Sequence, residues 1–331
     1  MSISTKGTEY QKFLEQKHAG LNAPDELVQE VVLDIVGSPL VHKERIVKGE
    51  INEVYKGTIE RGEEVIVRIG RSEFVKFQRE QWALGECARI GLPVPTVLGI
   101  RSTKHDGQEF NFSVENLLPG TPLNEIPRIL EPENKDRLRN VLKNVGEVLS
   151  RMHGIKTSNY GELDGAGKAN SNSIREYFKG SPYLSGERMM ILAQKAEIDS
   201  TIMDKAVAYL NDSLLKFTLG QPHLVHCDFA PKHLLISDDQ VSGVIDFENA
   251  EGGDPIRDLA YWQFFDPEYP VEVIMEGYED KSIFDARFKE RMKFWRLYVG
   301  ITTLEYAAEQ KNAHSIQETR AQLEKDVEAL R

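Results

Sequence analysis

The sequence has few cysteines, no long hydrophobic run and a deficit of positive charge. Its 331 residues include two cysteines, too few for a disulfide framework or a zinc site. No apolar stretch approaches the roughly 18 residues that a membrane span needs, and the first residues lack the apolar core of a signal peptide. The net charge of -12 disfavours binding to a nucleic-acid backbone. We therefore expect a cytoplasmic protein that binds neither membranes nor nucleic acids.

Two glycine-rich motifs that commonly cradle phosphates are also missing. The chain contains neither G-x-x-x-x-G-K-[ST] nor G-x-G-x-x-G. The rest of the composition, with 40% hydrophobic and 28% charged residues, is ordinary for a soluble globular protein. The length favours two domains or one unit with two lobes.

The spacing of apolar residues divides the chain into a strand-rich first part and a helix-rich second part. The predicted helices are 9–36, 73–90, 135–152 and 187–218, and the predicted strands are 45–49, 52–59, 63–70, 96–100 and 110–118. This order predicts an α+β fold with a small antiparallel sheet followed by a mostly helical region. We place the boundary near residue 117, so that residues 1–116 form an N-terminal lobe and residues 117–331 a C-terminal lobe.

Residues 223–262 contain the densest group of side chains suited to chemistry. A short apolar strand leads to Asp228, and a predicted hairpin after it ends at Asp246, so the two carboxylates would lie near one point. A carboxylate on a loop can accept or orient a hydroxyl proton, and a second at a strand end can hold a hard cation such as Mg²⁺. Together these groups are what a protein must supply for phosphoryl transfer.

This segment resembles the signature of the aminoglycoside phosphotransferases, small-molecule kinases that share the protein-kinase fold. The matching residues are His226 and Asp228 in H-x-D, Asp246 in I-D-F, and the run G-D-P-I-R-D-L-A over residues 253–260. The resemblance implies a two-lobed structure in which Asp228 is the catalytic aspartate and Asp246 binds Mg²⁺. It also implies that Asp258 is a structural carboxylate that supports the catalytic loop.

One position departs from the pattern that is common in this family, since His233 stands where most members have asparagine. Mg²⁺ prefers oxygen ligands, which makes an imidazole a less natural partner. Macrolide phosphotransferases and aminoglycoside 2''-phosphotransferases resemble this chain in having histidine there. His233 is therefore expected to be a second metal ligand, a phosphate contact or a purely structural hydrogen-bonding residue.

The N-terminal part resembles the nucleotide site of the same family. The resemblance implies nucleotide-binding roles for Gly49, Asn52, Arg68, Glu80, Glu115 and Leu117. Arg68 would replace the usual strand-borne lysine, and Glu80 on the next helix would hold it, with Glu86 as the rival. Backbone groups of Glu115 and Leu117 would bind the purine, which leaves ATP and GTP both open as donors.

Acidic residues are concentrated after Asp246. Residues 246–280 contain eleven acids and a single basic residue, Arg257. An acidic cleft attracts polycations, and the resemblance places the acceptor site in this segment. The predicted acceptor contacts are Glu248, Glu251, Glu276 and Asp280, with a solvated acidic face as the alternative. Three aromatic residues of the last helices, Trp295, Tyr298 and Tyr306, fit either a pocket wall or the core.

These observations predict a monomeric, Mg²⁺-dependent kinase. It would transfer the γ-phosphate of ATP or GTP to a hydroxyl of a small cationic molecule, such as an aminoglycoside-type antibiotic. The alternatives are a macrolide kinase, or a metabolic kinase that acts on an amino sugar, a choline-like alcohol or an amino alcohol. A pseudokinase that binds nucleotide without transfer is disfavoured because Asp228 and Asp246 are both present.

Overall fold

The N-terminal lobe is built on a five-stranded antiparallel sheet. The structure, a computed structural model, describes residues 3–71, 76–217 and 219–330. The strand order is β1-β2-β3-β5-β4, and the strands are β1 (Leu40–Ile46), β2 (Glu53–Ile59), β3 (Glu64–Gly70), β4 (Val97–His105) and β5 (Gln108–Asn116). Side chains of β2 alternate between buried and half-buried, as expected for a strand with one face on a core. The first strand begins earlier than the predicted run at 45–49.

Three helices accompany this sheet, namely α1 (Ile3–His18), α2 (Asp25–Val36) and α3 (Phe77–Arg89). The single helix predicted over 9–36 is wrong, because the chain breaks between α1 and α2. Pro24 immediately precedes α2 and disfavours helical backbone at the residue before it. Val28 and Val32 of α2 are completely buried against the sheet. The start of the helix predicted at residue 73 lies outside the described residues.

The C-terminal lobe is mostly helical. Its helices are α4 (Lys135–His153), α5 (Ile174–Tyr177), α6 (Gly186–Lys195), α7 (Ser200–Lys216), α8 (Ile256–Phe265), α9 (Val271–Gly277), α10 (Phe288–Glu309) and α11 (Ala313–Glu328). The helix predicted over 187–218 is divided in two, because Glu197 has a left-handed φ of 53° and Asp199 caps the start of α7. Within the described ranges, no helix is long and apolar enough to cross a membrane.

Two small sheets place the motif residues in the C-terminal lobe. Their strands are β6 (Thr121–Pro122), β7 (Gly161–Glu162), β8 (His223–Val225), β9 (Leu234–Ser237), β10 (Gln240–Val244) and β11 (Glu251–Gly253). One sheet has the order β10-β9-β6 and the other β7-β11-β8. The predicted hairpin is therefore present as β9 and β10. The two-lobed α+β fold predicted from the sequence is confirmed.

Helix α3 is fastened to the C-terminal lobe. The guanidinium of Arg79 donates to the carbonyl of Leu163 at 2.5 Å and to the carboxylate of Glu162 at 2.8 Å. The indole of Trp82 lies against Gly167, where an added Cβ atom would come within 1.9 Å of the ring. Gly167 also has a φ of +73°, which a residue with a side chain rarely adopts. Only glycine at this position allows the indole to pack so closely.

Candidate active site

A buried carboxylate fixes the loop that follows β8. Asp258, at the start of α8, accepts hydrogen bonds from the backbone N–H groups of His226 and Cys227, each at 2.8 Å. The imidazole of His153 hydrogen-bonds to the same carboxylate at 3.0 Å. Burial opposes ionisation, but this hydrogen bond and the nearby imidazoles hold the pKa of Asp258 below its ordinary value. Asp258 therefore anchors the loop that presents Asp228.

His226 joins this loop to the end of β10. Its Nε2 lies 3.0 Å from the carbonyl oxygen of Ile245, the residue before Asp246, and its Nδ1 accepts the backbone N–H of Asp228 at 3.3 Å. Complete burial lowers the pKa of His226, so the ring is neutral with its proton on Nε2. The two aspartates of the signature are thus held together through one imidazole.

Asp228, His233 and Asp246 form one cluster. Each offers a ligand atom, and these atoms lie within 4.8 Å of one another. His233 directs Nδ1 to the backbone carbonyl of Asp228 at 2.9 Å and Nε2 to the carboxylate of Asp246 at 3.2 Å. Burial opposes the charge, but the negative charge of Asp228 raises the pKa of His233. Despite burial, the hydrogen bond from His233 lowers the pKa of Asp246. The ring of His233 therefore connects the backbone of Asp228 with the carboxylate of Asp246.

The donor set of this cluster fits a divalent cation. One carboxylate oxygen of Asp228, Oδ1, is buried and has no hydrogen-bond partner among the described residues. The ammonium of Lys232 lies 3.6 Å from this oxygen. Two carboxylates and an imidazole are acceptable ligands, since the carbonyl of Asp228 can keep the proton on Nδ1 of His233 and free Nε2 for a metal.

Arg68 on β3 faces the same cleft and contacts four carboxylates. Its guanidinium lies 2.6 Å from Glu80, 3.0 Å from Asp246 and 3.5 Å from Glu115, and it also contacts Glu248. Arg68 is only 8% exposed, so these charges interact in a poorly solvated environment. The structure places Glu80 beside Arg68, whereas the rival Glu86 pairs with Arg89 on the surface.

Glu248, which the sequence predicts as an acceptor contact, lies beside Asn52 and Arg68 of the N-terminal lobe. Its carboxylate accepts a hydrogen bond from Asn52 as well as contacting Arg68. Asp246 has a left-handed φ of 70°, and the chain then enters a 3₁₀ turn whose first N–H, from Phe247, donates to Glu80 at 2.9 Å. This turn points Glu248 back at the sheet. Burial raises the pKa of both Glu80 and Glu248.

The other residues predicted to bind nucleotide lie in the N-terminal sheet, in a connection of it, or directly after its strand β5. Gly49 and Asn52 belong to the connection between β1 and β2, and the carbonyl of Gly49 hydrogen-bonds to the imidazole of His18 at 2.6 Å. Glu115 ends β5 with its side chain toward Arg68. The N–H of Leu117 donates to the carbonyl of Glu64 at 3.2 Å, so this group is already engaged within the lobe.

The structure does not bring the four predicted acceptor contacts together. Besides Glu248, the side chain of Glu251 is buried and bonded to Arg257 at 2.5 Å and to Tyr177 at 3.0 Å. The other two lie elsewhere on the lobe. Glu276 is exposed and pairs with two basic residues of α4, Arg139 and Lys143, and Asp280 caps a turn by accepting the N–H of Ser282. These four carboxylates are thus engaged in different parts of the structure and do not form one wall.

Three residues near Asp228 were not identified from the sequence. Lys232 lies four residues after Asp228 in the same loop. Burial together with the charge of Asp228 raises the pKa of Tyr261. Asp266 directly follows the last residue of α8, and the charges of Lys232 and Asp228 both act on it. The position of Lys232 between Asp228 and His233 in the signature could have indicated that it lies near the site. Tyr261 and Asp266 reach the site only through the packing of α8.

Asp266 predicts a measurable pH effect on stability. Burial, with the charge of Glu268, raises the pKa of Asp266 from 3.8 to about 7. The folded state therefore binds a proton that the unfolded state has lost, and this contribution to stability disappears as pH rises through 7. Replacing Asp266 by asparagine should therefore stabilise the protein more at pH 8 than at pH 5. The difference between the two effects on the free energy of unfolding should be about 1 to 3 kcal/mol.

Urea denaturation of the wild type and Asp266→Asn at both pH values measures this difference. Asp212→Asn, at an exposed position of α7, is the matched control and should show no such dependence. An equal effect of Asp266→Asn at pH 5 and pH 8 would show that Asp266 is ionised throughout this range.

Comparison with known proteins is consistent with this geometry. A curated relative, hygromycin-B 4-O-kinase of Escherichia coli, is 22% identical over 232 residues, which cover 69% of this chain and 64% of that protein. An uncharacterised protein of Bacillus subtilis, YcbJ, is also 22% identical over 49% of this chain and 52% of its own length. This chain thus matches between half and two thirds of the length of these relatives.

Solved structures share the fold over a larger part of the chain. Aminoglycoside phosphotransferase APH(4)-Ia superimposes with a TM-score of 0.73 at 17% identity, covering 92% of this chain and 99% of that one. A thermostable mutant of it, in a ternary complex with ADP and hygromycin B, gives 0.71 at 18% identity, covering 91% and 98%. A protein from Haemophilus somnus assigned as a fructosamine-3-kinase gives 0.64 at 19% identity, covering 90% and 96%.

The family model of the phosphotransferase enzyme family matches residues 43–325, a range that contains Arg68 and the cluster of Asp228, His233 and Asp246. The match confirms the resemblance to the aminoglycoside phosphotransferases that the motifs indicate. The chain therefore belongs to the phosphotransferase enzyme family.

Proposed function

We propose that this protein transfers the γ-phosphate of ATP or GTP to a hydroxyl of an aminoglycoside-type molecule. One observation supports this most directly. Arg68, from the N-terminal sheet, lies 3.0 Å from Asp246, which belongs to the cluster that contains Asp228. A phosphate-binding cation and the two signature carboxylates thus share one cleft between the lobes. We also propose residues 1–116 as the nucleotide-binding lobe, and a monomer in the cytoplasm, where both nucleotides are available.

The residues of the cleft have distinct roles in this proposal. Arg68 binds phosphate oxygens of the nucleotide, and Glu80 holds it in place at 2.6 Å. Asp228 accepts a hydrogen bond from the acceptor hydroxyl and orients its oxygen toward the γ-phosphorus. The ammonium of Lys232, 3.6 Å from Asp228, adds positive charge close to the reacting oxygens. Catalysis then results mainly from positioning and from electrostatic stabilisation.

Asp246 and His233 are the residues that would hold Mg²⁺. When bound, the ion would neutralise part of the negative charge on the triphosphate. Nε2 of His233 lies 3.2 Å from the carboxylate of Asp246, so it must be free of a proton to act as a ligand. Glu248 is close enough to Asp246 for both to contact the same nitrogen of Arg68, so it lies at the edge of this site. We assign Glu248 to the nucleotide side.

The identity of the acceptor is proposed from the relatives. Hygromycin-B 4-O-kinase and the APH(4)-Ia complexes favour an aminoglycoside. Structural similarity to a protein assigned as a fructosamine-3-kinase supports a second candidate, a metabolic kinase for an aminated sugar. Since Glu251 and Glu276 are engaged with Arg257 and with α4, the net charge of the acidic segment does not decide between the two.

A nucleotide-consumption assay tests the proposal. Hygromycin B, other aminoglycosides, a macrolide, a fructosamine and choline should be compared, each with ATP and with GTP in the presence of Mg²⁺. We expect turnover with at least one aminoglycoside, and loss of it when Mg²⁺ is chelated. Phosphorylation of the fructosamine alone would establish the metabolic kinase instead. Consumption that is independent of every acceptor would contradict both assignments.

A further inference from the structure

One loop of the N-terminal lobe is bonded to the C-terminal lobe near both of its ends. This loop, residues 47–52, joins β1 to β2 and contains two of the residues predicted to bind nucleotide. Near its start, Lys48 forms an ion pair with Glu125 at 2.6 Å, and at its end Asn52 donates a hydrogen bond to Glu248. Glu248 in turn contacts the guanidinium that faces the candidate metal cluster. Direct contacts therefore place this loop at the border of the cleft.

The middle of the loop is held by α1 and by α10. The carbonyl oxygen of Gly49 accepts a hydrogen bond from the imidazole of His18, the last residue of α1, at 2.6 Å. The carboxylate of Glu50 accepts one hydrogen bond from the phenol of Tyr10 on α1 at 3.0 Å. Its other oxygen accepts a hydrogen bond from the phenol of Tyr306 on α10 at 3.1 Å. Two hydroxyl groups from opposite ends of the chain thus fix the direction of the Glu50 side chain.

Helix α1 is itself attached to both lobes. The ammonium of Lys17 donates to the amide oxygen of Gln310, which directly follows α10, at 2.8 Å. On the side of the sheet, the guanidinium of Arg45 on β1 donates to the carbonyl oxygens of His18 and Leu21 at 3.2 and 2.5 Å. The family model begins at residue 43, so α1 lies outside it. A helix beyond the matched region therefore connects the loop to the last helices of the C-terminal lobe.

We propose that α1 is a strap that holds the loop 47–52 against the C-terminal lobe, with Glu50 as the positioning residue through which it acts. The role of this loop in nucleotide binding rests on the proposed function. The strap uses two acceptors, the carbonyl of Gly49 and the carboxylate of Glu50, and acceptors do not bind phosphate oxygens. Its contacts therefore persist when nucleotide is bound, and the loop slows the entry and the release of nucleotide alike.

The mobility of the loop tests the strap without nucleotide. Both cysteines of the chain are buried, so a nitroxide spin label attaches selectively to Ile51→Cys, at an exposed position of the loop. Combining Tyr10→Phe with Tyr306→Phe removes both hydroxyl donors to Glu50 and keeps the two rings. Because hydrogen bonds to a charged group are lost, the population of mobile label should rise about tenfold. Electron paramagnetic resonance spectra of the labelled variants measure this population.

Two further variants separate the strap from a general loss of structure. Tyr160→Phe is the matched control, because it removes a hydroxyl hydrogen bond of 2.7 Å to the carbonyl of Gly220 in the C-terminal lobe. This control should leave the mobility of the label unchanged. Tyr306→Phe alone alters α10 and leaves α1 intact, and it should give part of the increase. Unchanged mobility in the double variant would overturn the proposal.

Stopped-flow binding of a fluorescent ADP analogue tests the effect on nucleotide exchange. In the double variant, the rate constants of association and dissociation should both increase about tenfold, while their ratio, the Kd, changes little. Faster dissociation with unchanged association would place Glu50 among the nucleotide contacts, and unchanged rates beside a mobile loop would show that the loop is no gate. Either result overturns the proposal. A wild type that binds no nucleotide would contradict the proposed function, and the spin-label result would still decide whether α1 holds the loop.

Discussion

Replacing Asp228 by asparagine should lower turnover by about a thousandfold while nucleotide affinity changes little. Asparagine keeps the size of the side chain but cannot accept the hydroxyl proton or attract it electrostatically. The loop itself should remain in place, because Asp258 holds the backbone N–H groups of His226 and Cys227. Steady-state kinetics with a saturating acceptor measure the turnover, and titration with a nucleotide analogue measures the affinity.

The matched control for this variant is Asp238→Asn. Asp238 lies in the same part of the chain, between β9 and β10, and its side chain is exposed. Its left-handed φ of 49° is one that asparagine also tolerates. We expect normal turnover for this control. Near-normal turnover in Asp228→Asn itself would exclude Asp228 as the catalytic aspartate.

The second large effect concerns stability. Replacing Arg68 by methionine should reduce the free energy of unfolding by about 3 to 5 kcal/mol, because it leaves buried carboxylates without their shared cation. Glu80 and Glu248 would then repel each other in a poorly solvated cleft. Both acids would bind protons more readily in the folded state, so the loss should be larger at pH 8 than at pH 5. Urea denaturation at the two pH values measures it.

Arg89→Met is the control for Arg68→Met. Arg89 is the last residue of α3, the helix that carries Glu80, and it pairs with Glu86 on the surface at 2.8 Å. Solvent screens such pairs, and the expected change in stability is small. Arg68→Lys should be intermediate, since it keeps the charge and loses the fork that reaches several carboxylates. Equal losses in Arg68→Met and Arg89→Met would mean that the buried acids are already neutral in the wild type.

The fold and the centre of the site were predictable because both depend on local sequence. The hairpin and its two aspartates lie within one short segment, where turn residues and apolar runs fix the spacing. The pairing of Arg68 with Glu80 follows from the family pattern, and the structure places the two side chains 2.6 Å apart. The nucleotide and metal roles assigned to these residues remain predictions.

The location of the acidic residues was not predictable from local sequence. Glu248 follows Asp246 by two positions, but the left-handed φ at Asp246 turns its side chain toward the sheet. Glu276 was counted as free charge, although basic residues of α4 more than 130 positions earlier in the chain pair with it. Charge counting along a segment does not register such distant partners. The contact of Glu50 with Tyr306 could not be predicted for the same reason, because these residues are 256 positions apart.

The attachment of α3 to the C-terminal lobe restricts how this helix can move. Many protein kinases are switched on and off by moving the helix that carries the glutamate partner of the phosphate-binding side chain. Here that movement would break the bonds of Arg79 to Glu162 and Leu163 and lift Trp82 from Gly167. Glu80 could therefore leave Arg68, which it contacts at 2.6 Å, only if these contacts of α3 with the C-terminal lobe were broken as well.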